Sequence, residues 1–420
     1  MKKKKVKKRN ESLLKKKSGF FNELEIDLEG DSKFSIFEVI IVTFISIIFG
    51  IIVGYILTYT STPIKAIKSD PNLEEIISTY NTLKNNYYDD VDEVSLADNA
   101  IKGMVSSLND SYSSFMDNKT TESFNESVDG YFVGIGVTIM YSDGYNQIIK
   151  VDESGPGDKA GLKVNDIILS VDGNSVKGVY GEELTSLIKG KSGSKVKIMI
   201  KRGNTTKTVT VKRGIIEIEN VTSHLLEENG KKIGYINVAV FASNTFKQFK
   251  KNLSRMEKKN AEALIIDLRD NPGGHLSQTR DILSMFFDKK TVLYELQNKN
   301  KVSKVYSSSN DTRNYPIVIL VNGNSASASE VMASCFNDNY KNATIVGTKT
   351  YGKGTVQQTV KLSSGTSFKY TTEKWLTSKG KSVDGVGINP EINIELDQSY
   401  YSNPTYENDS QVKKAVEILK

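Results

Sequence analysis

Histidine and cysteine are almost missing from this 420-residue chain: there are two histidines, His224 and His275, and one cysteine, Cys335. A single cysteine excludes an internal disulfide and leaves the redox compartment open. No HExxH and no paired CxxC occurs, so no structural or catalytic metal is expected. No GxGxxG follows a strand-like run and no GxxxxGKS/T is present, so nucleotide-driven chemistry has no support and no cofactor is expected. Internal repeats are absent. Cys335 falls in a helical pattern after a serine-rich turn, where it reads as a small buried apolar residue rather than a reactive thiol.

Charge is also missing from most of the chain as a net quantity. The formal charge is +6, yet residues 1–17 alone carry nine lysines and Arg9 against Glu11, a net of +9. Residues 18–35 return −4, five acids against Lys33, which leaves about +1 for everything beyond. A basic cluster can serve nucleic acid, but this one stands before Val39 to Tyr59, 21 uncharged and mostly apolar residues. About 20 such residues cross a bilayer, and basic residues ahead of them hold the N-terminus in the cytoplasm. The run is longer than a signal-peptide core and lacks a small-x-small cleavage site at its end. The expectation is an uncleaved single-pass anchor in a bacterial cell membrane, with the bulk of the chain outside and no nucleic-acid partner.

The most informative residues come late. Val321-Asn-Gly-Asn-Ser-Ala-Ser-Ala-Ser-Glu330 follows the buried-strand run Pro316 to Val321 and leads into a helix expected near Ser329 to Phe336. A serine at a strand-to-helix turn sits where backbone N–H groups and the helix dipole favour negative charge, as an alkoxide or oxyanion requires. Then comes Gly352-Lys-Gly-Thr-Val-Gln-Gln358, a lysine between glycines. A buried lysine without an acidic partner loses its proton readily and can act as a base, so serine and lysine together form a nucleophile and base without histidine.

NSASASE followed by TYGKGTVQQ resembles the Ser-Lys site of the C-terminal processing peptidases, also called tail-specific proteases. The resemblance places the nucleophile at Ser327, the general base at Lys353 and a lysine-orienting residue at Gln357. The interval from Ser327 to Lys353 is 26 residues, one longer than the usual spacing, and the extra residue is expected in a loop over residues 337–342. Ser325 and Ser329 lie two residues either side of Ser327. The segment Asp267-Leu-Arg-Asp-Asn-Pro-Gly-Gly274 follows another buried strand; by resemblance its glycine turn supplies the oxyanion hole through Gly273 or Gly274, together with the N–H of Ala328. His275 comes directly after it and could complete a Ser-His-Asp arrangement, although the lysine already supplies a base.

Residues 128–213 resemble a PDZ domain. Val133-Gly-Ile-Gly-Val137, that is Val133, Gly134, Ile135, Gly136 and Val137, matches a carboxylate-binding loop, and residues 154–173 match the fold's characteristic internal stretch. Glycines there free N–H groups for a terminal carboxylate, and the following strand accepts an extended peptide at its edge. The whole resemblance covers about residues 72–420. Behind the basic tail (1–35) and the transmembrane anchor (36–60) read from charge and hydropathy, it implies an α/β multidomain protein: helical segment (61–127), PDZ domain, a β-barrel with helices (128–213), Clp protease/crotonase-like α/β peptidase core (214–395), and a C-terminal tail with a short helix (396–420). The implied activity is serine endopeptidase, acting on protein or peptide C-termini, with tail binding gating the site and a possible homodimer through the helical segment. The rival is a catalytically silent PDZ scaffold that only binds tails.

Overall fold

In the computed structural model the described residues are 37, 40–46, 48 and 70–420. The expected anchor therefore lies mostly outside the described residues, as does the basic tail. Among the described residues no helix is long and apolar enough to cross a membrane. Two units are distinguished, Met1–Leu96 and Ala97–Lys420. The first contains α1 (Pro71–Asn86), opened by Asp70, whose side chain accepts the Asn72 N–H at 3.0 Å. Pro71 suits the first helical turn, where its missing N–H costs nothing. The helix α2 (Glu93–Ser106) begins in this unit and continues into the second.

The second unit continues with β1 (Ser114–Met116), α3 (Asn118–Asp129), β2 (Tyr131–Gly134), β3 (Val137–Ser142), β4 (Tyr145–Val151), α4 (Pro156–Ala160), β5 (Ile167–Val171), β6 (Asn174–Ser175), α5 (Gly181–Ile188), β7 (Lys195–Arg202), β8 (Thr205–Lys212) and β9 (Gly214–Glu217). Strands β3 to β8 form one antiparallel sheet in the order β3-β4-β5-β7-β8, with β6 on β5. Alternation drives it: in β7, Val196, Ile198 and Ile200 are buried while the intervening lysines and Met199 face out. Strand β2 pairs with β9, so the chain's way into this module and its way out are zipped together.

The rest is the larger module: β10 (Val221–Glu228), β11 (Lys231–Val238), α6 (Thr245–Lys258), β12 (Ala263–Asp267), α7 (Leu276–Leu283), β13 (Val292–Gln297), β14 (Val302–Tyr306), β15 (Ile317–Val321), α8 (Ala328–Asn339), β16 (Ala343–Gly347), β17 (Thr355–Lys361), β18 (Ser367–Thr377), β19 (Ile392–Asn393), α9 (Gln398–Ser402) and α10 (Ser410–Leu419). Its main sheet runs β10-β11-β12-β15-β16-β19, parallel from β11 onward. Every residue of β12 and β15 is buried, as expected of parallel strands covered on both faces. On one face Phe249, Leu253, Ile282 and Phe336 close the core; on the other Val412, Ala415, Val416 and Leu419 of α10 do. A second sheet, β1-β18-β13-β14 with β17 on β18, brings residues 114–116 beside the strands after Lys353. Helix α8 runs to Asn339, so residues 337–339 are helical rather than the loop expected there. The stretch 298–314 holds β14, the second strand of a hairpin, followed by an irregular segment.

Candidate active site

Both signature turns leave the carboxyl ends of adjacent strands, β12 and β15, the crevice where parallel α/β sheets place ligands. Of the three serines after β15, two are enclosed. Ser325 Oγ donates to the Leu268 carbonyl at 2.8 Å and Ser329 Oγ to the Asn271 carbonyl at 2.9 Å, and both are fully buried. Ser327 is half-buried and caps α8 at φ 54°, ψ −113°. A non-glycine residue there is strained and is kept by its surroundings: the Ser327 N–H donates to Glu330 Oε2 at 2.8 Å and the Ser327 carbonyl accepts from Val331 at 2.9 Å.

The glycine turn packs directly on that serine. Gly273 has φ 104°, and a Cβ there would lie 2.9 Å from Ser327 Cβ and 3.0 Å from Ala328 N, so only glycine fits. The Gly273 N–H, however, donates to Asn271 Oδ1 at 2.9 Å. This corrects the expectation that either glycine could serve an oxyanion: the Gly273 donor is already taken, while Gly274 is exposed at the cavity wall. Asn271 ties the two turns together, since its carbonyl also accepts the Ala326 N–H at 3.0 Å and its side-chain nitrogen donates to Val238 at 2.8 Å.

Lys353 is placed by the same carboxylate that holds Ser327. Glu330 is fully buried; its Oε1 accepts from Thr350 Oγ1 at 2.6 Å and Gly352 N at 2.7 Å, its Oε2 from Ser327 N at 2.8 Å and Lys353 N at 2.9 Å. The Lys353 carbonyl accepts from Trp375 Nε1 at 2.8 Å. Gly352, at φ 89°, lets the turn at residues 385–387 approach: a Cβ would meet Gly387 N at 2.9 Å.

Ser327, Lys353, Gln357, Gly273, Gly274 and His275 all line one cavity of about 590 Å³. Lys353 is half-buried, with Nζ 4.8 Å from the centre of the Tyr112 ring. Burial pulls its pKa below the ordinary lysine value, and the charge of Lys369 adds to this against the opposing pull of Asp110 and Glu330. Tyr112 is pushed up to about 12 by burial and a hydrogen bond with Tyr351, so it stays a neutral phenol. Asp110 feels burial first, yet hydrogen bonds from Ser113 and Thr371 hold its pKa below the usual carboxylate value. Gln357 does share the cavity, but its amide nitrogen donates to Thr355 Oγ1 at 2.8 Å and Thr371 Oγ1 at 3.1 Å, and Thr371 passes the chain to Asp110 at 2.6 Å. Through its amide nitrogen Gln357 is thus fixed to the β17–β18 strand pair rather than to Lys353. His275 Nε2 lies 3.0 Å from the Val128 carbonyl, which holds the ring against α3.

Residues 232–394 match peptidase family S41, residues 133–212 a PDZ domain, and residues 58–120 the activating protease CtpB N-terminal domain. The chain is 35% identical over 364 residues to the carboxy-terminal processing protease CtpA of Bacillus subtilis (strain 168), an alignment covering 84% of this chain and 77% of that protein. It belongs to the carboxy-terminal processing proteases of family S41. Carboxy-terminal processing protease CtpB of the same organism is 36% identical over 338 residues, covering 80% of this chain and 70% of CtpB. The chain is accordingly a serine-type peptidase with a PDZ domain, and the silent-scaffold alternative falls away.

In the PDZ segment, Val133 and Gly134 end β2, Gly136 turns at φ 68°, and Val137 opens β3. The carbonyls of Ile135 and Gly136 are fixed by the N–H groups of Gly157 and Asp152 at 2.7 and 2.9 Å. The sheet order leaves β3 at an edge. Sequence reasoning missed Glu330, Asn271, Tyr112, Asp110 and Lys369. Glu330 carries a faint signal, three residues after a serine at a helix start, the capping-box spacing. Asp110, Tyr112 and Lys369 meet the site only through strand pairing between distant segments.

Proposed function

We propose that this protease recognises protein C-termini through its PDZ domain and cleaves peptide bonds with Ser327 as nucleophile and Lys353 as general base. One observation carries the reading: among three candidate serines, Ser327 alone opens onto a cavity, and Lys353 stands in the wall of that cavity. Neutral Lys353 takes the Ser327 hydroxyl proton as Oγ attacks the scissile carbonyl. The N–H groups of Gly274 and Ala328 receive the oxyanion of the tetrahedral intermediate. The lysine ammonium then protonates the leaving amine, and a water activated by the same lysine releases the acyl group. Burial and the neighbouring Lys369 support this role, because both favour the neutral amine. The neutral fraction rises with pH, so activity rises through a pKa set below the ordinary lysine value.

Helix α3 gives tail binding a physical route to the site. Phe124 and Val128 line the cavity, while Lys119 and Glu126 of the same helix pair with Glu182 at 2.8 Å and Lys189 at 2.5 Å, at either end of α5. The uncharged run Val39 to Tyr59 behind a +9 tail supports a membrane anchor with the catalytic part outside.

The dyad is tested by comparing Lys353→Arg with His275→Ala at matched thermal stability. Arginine keeps its proton and cannot act as a base, so Lys353→Arg is expected to be inactive, as are Lys353→Ala and Ser327→Ala. His275→Ala is expected to keep most activity. An active arginine variant beside a dead His275 variant would transfer the base role to histidine.

A further inference from the structure

The cavity that holds Ser327 and Lys353 is lined by two lysines and by no aspartate or glutamate. If Lys353 works as the neutral base, the second lysine, Lys369, is the cation of this cavity. Its position is rigid. Lys369 lies near the start of β18, flanked on both sides by paired strands: Thr359 of β17 on one and Ser114 of β1 on the other. Thr359 and Gln357, two apart along β17, line the same cavity, so Lys369 projects from the face that forms its wall.

The ammonium is held without being neutralised. Lys369 Nζ sits 5.6 Å from the centre of the Phe124 ring on α3, a contact that orients a cation and leaves its charge intact. Among the described residues no carboxylate pairs with it, although its charge is felt at Lys353. The other charged or titratable groups around Lys353 are Asp110 and Glu330, the Tyr112 phenol and His275, and none of these pairs with Lys369. A half-buried cation over an apolar ring, in a cavity without acids, gains most from an incoming carboxylate.

The geometry points to Lys369 as the site that binds a carboxylate of the substrate during cleavage. This rests on the reading of the cavity as the peptidase site. The carboxylate belongs either to an aspartate or glutamate side chain beside the scissile bond or to the terminal carboxylate of a short substrate.

Internally quenched peptides of one sequence, carrying Glu or Gln in turn at each position flanking the cleavage point, separate these sources when each is also made with an amidated C-terminus. With the full-length protein, one Glu peptide is expected to show a kcat/KM about tenfold above its Gln twin, the size of one charge-assisted hydrogen bond. In Lys369→Gln that ratio should fall close to one, Lys369→Arg should restore it, and Lys369→Glu should favour a Lys-containing peptide instead. If amidation rather than Glu→Gln lowers kcat/KM in the wild type, and no longer does so in Lys369→Gln, the carboxylate is the terminal one. A wild type indifferent to both changes, or a preference that survives Lys369→Gln, overturns the assignment. Ser327→Ala and Lys353→Ala are run alongside. Activity in either would sink the dyad itself, whereas the Glu-to-Gln ratio speaks only to Lys369.

Discussion

Replacing Glu330 by glutamine is the sharpest test of how the two halves of this site are joined. Each carboxylate oxygen accepts two donors: Thr350 Oγ1 and Gly352 N on Oε1, Ser327 N and Lys353 N on Oε2. Glutamine keeps the shape but turns one oxygen into an NH₂ group. Turned toward Ser327 and Lys353, the NH₂ opposes two backbone donors; turned toward Thr350, whose hydroxyl can rotate to accept, it opposes only the Gly352 N–H. Each unsatisfied buried donor costs about 1–3 kcal/mol, so in the cheaper orientation the variant loses about 1–3 kcal/mol. That is a sizeable share of the roughly 5–15 kcal/mol that stabilises a typical domain, and in a module of this size it lowers the melting midpoint by about 2–12 °C. The turns bearing Ser327 and Lys353 should loosen together, lowering kcat more than KM rises. A second readout has a definite sign. The Glu330 charge favours the Lys353 ammonium, so removing it lowers the lysine pKa, and the acid limb of the pH–rate profile moves to lower pH. Calorimetry and pH-dependent peptidase assays on one preparation measure both. Thr350→Val, which removes one donor from Glu330 and the 2.7 Å acceptor of the Ile388 N–H and costs about 1–3 kcal/mol, serves if the glutamine variant does not fold. A Glu330→Gln protein that melts with the wild type and keeps its acid limb would refute the coupling.

Tyr112→Ala should lower kcat about tenfold by freeing the Lys353 side chain to misalign, while Tyr112→Phe, which keeps the ring face, should retain most activity; equal rates for the alanine variant and wild type would remove the ring from the site. A peptide with a free C-terminus should bind the full-length Ser327→Ala protein more tightly than its amidated twin by fluorescence anisotropy, because Val133 to Val137 lead into the open edge of β3; equal affinities would end the tail-recognition reading. Protease added to intact cells should cleave beyond residue 61 if Val39 to Tyr59 is an anchor with the catalytic part outside; protection until lysis would reverse that topology.

What could be read from the residues and what could not divide along a physical line. Strands β12 and β15 were legible because burial on both faces writes an unbroken apolar run. Helix α8 was legible in its start but not its end: residues 337–339 are polar, and the partners of its last turn, Val292 of β13 for Asn339 and Lys379 for Asp338, are distant in sequence. The serine motif gave chemistry without assignment. Ser325 and Ser329 are enclosed by bonds to the carbonyls of Leu268 and Asn271, more than fifty positions earlier.

The groups that hold the site in shape left almost no trace for the same reason. Glu330 accepts three backbone N–H groups and one hydroxyl, and Asn271 bonds the backbone of Gly273, Ala326 and Val238. Backbone donors carry no residue identity, so a carboxylate or amide that satisfies them has no partner type to be recognised by. Reactive groups are different: a serine at a strand-to-helix turn and a lysine between glycines need particular side chains in particular local conformations, and those conformations depend on neighbours in sequence. The consequence reaches mutational behaviour. Substituting Ser327 or Lys353 removes chemistry and few contacts, so the folded protein should persist without activity. Substituting Glu330 or Asn271 leaves both reactive groups present while releasing the backbone that aims them, so stability and activity should fall together.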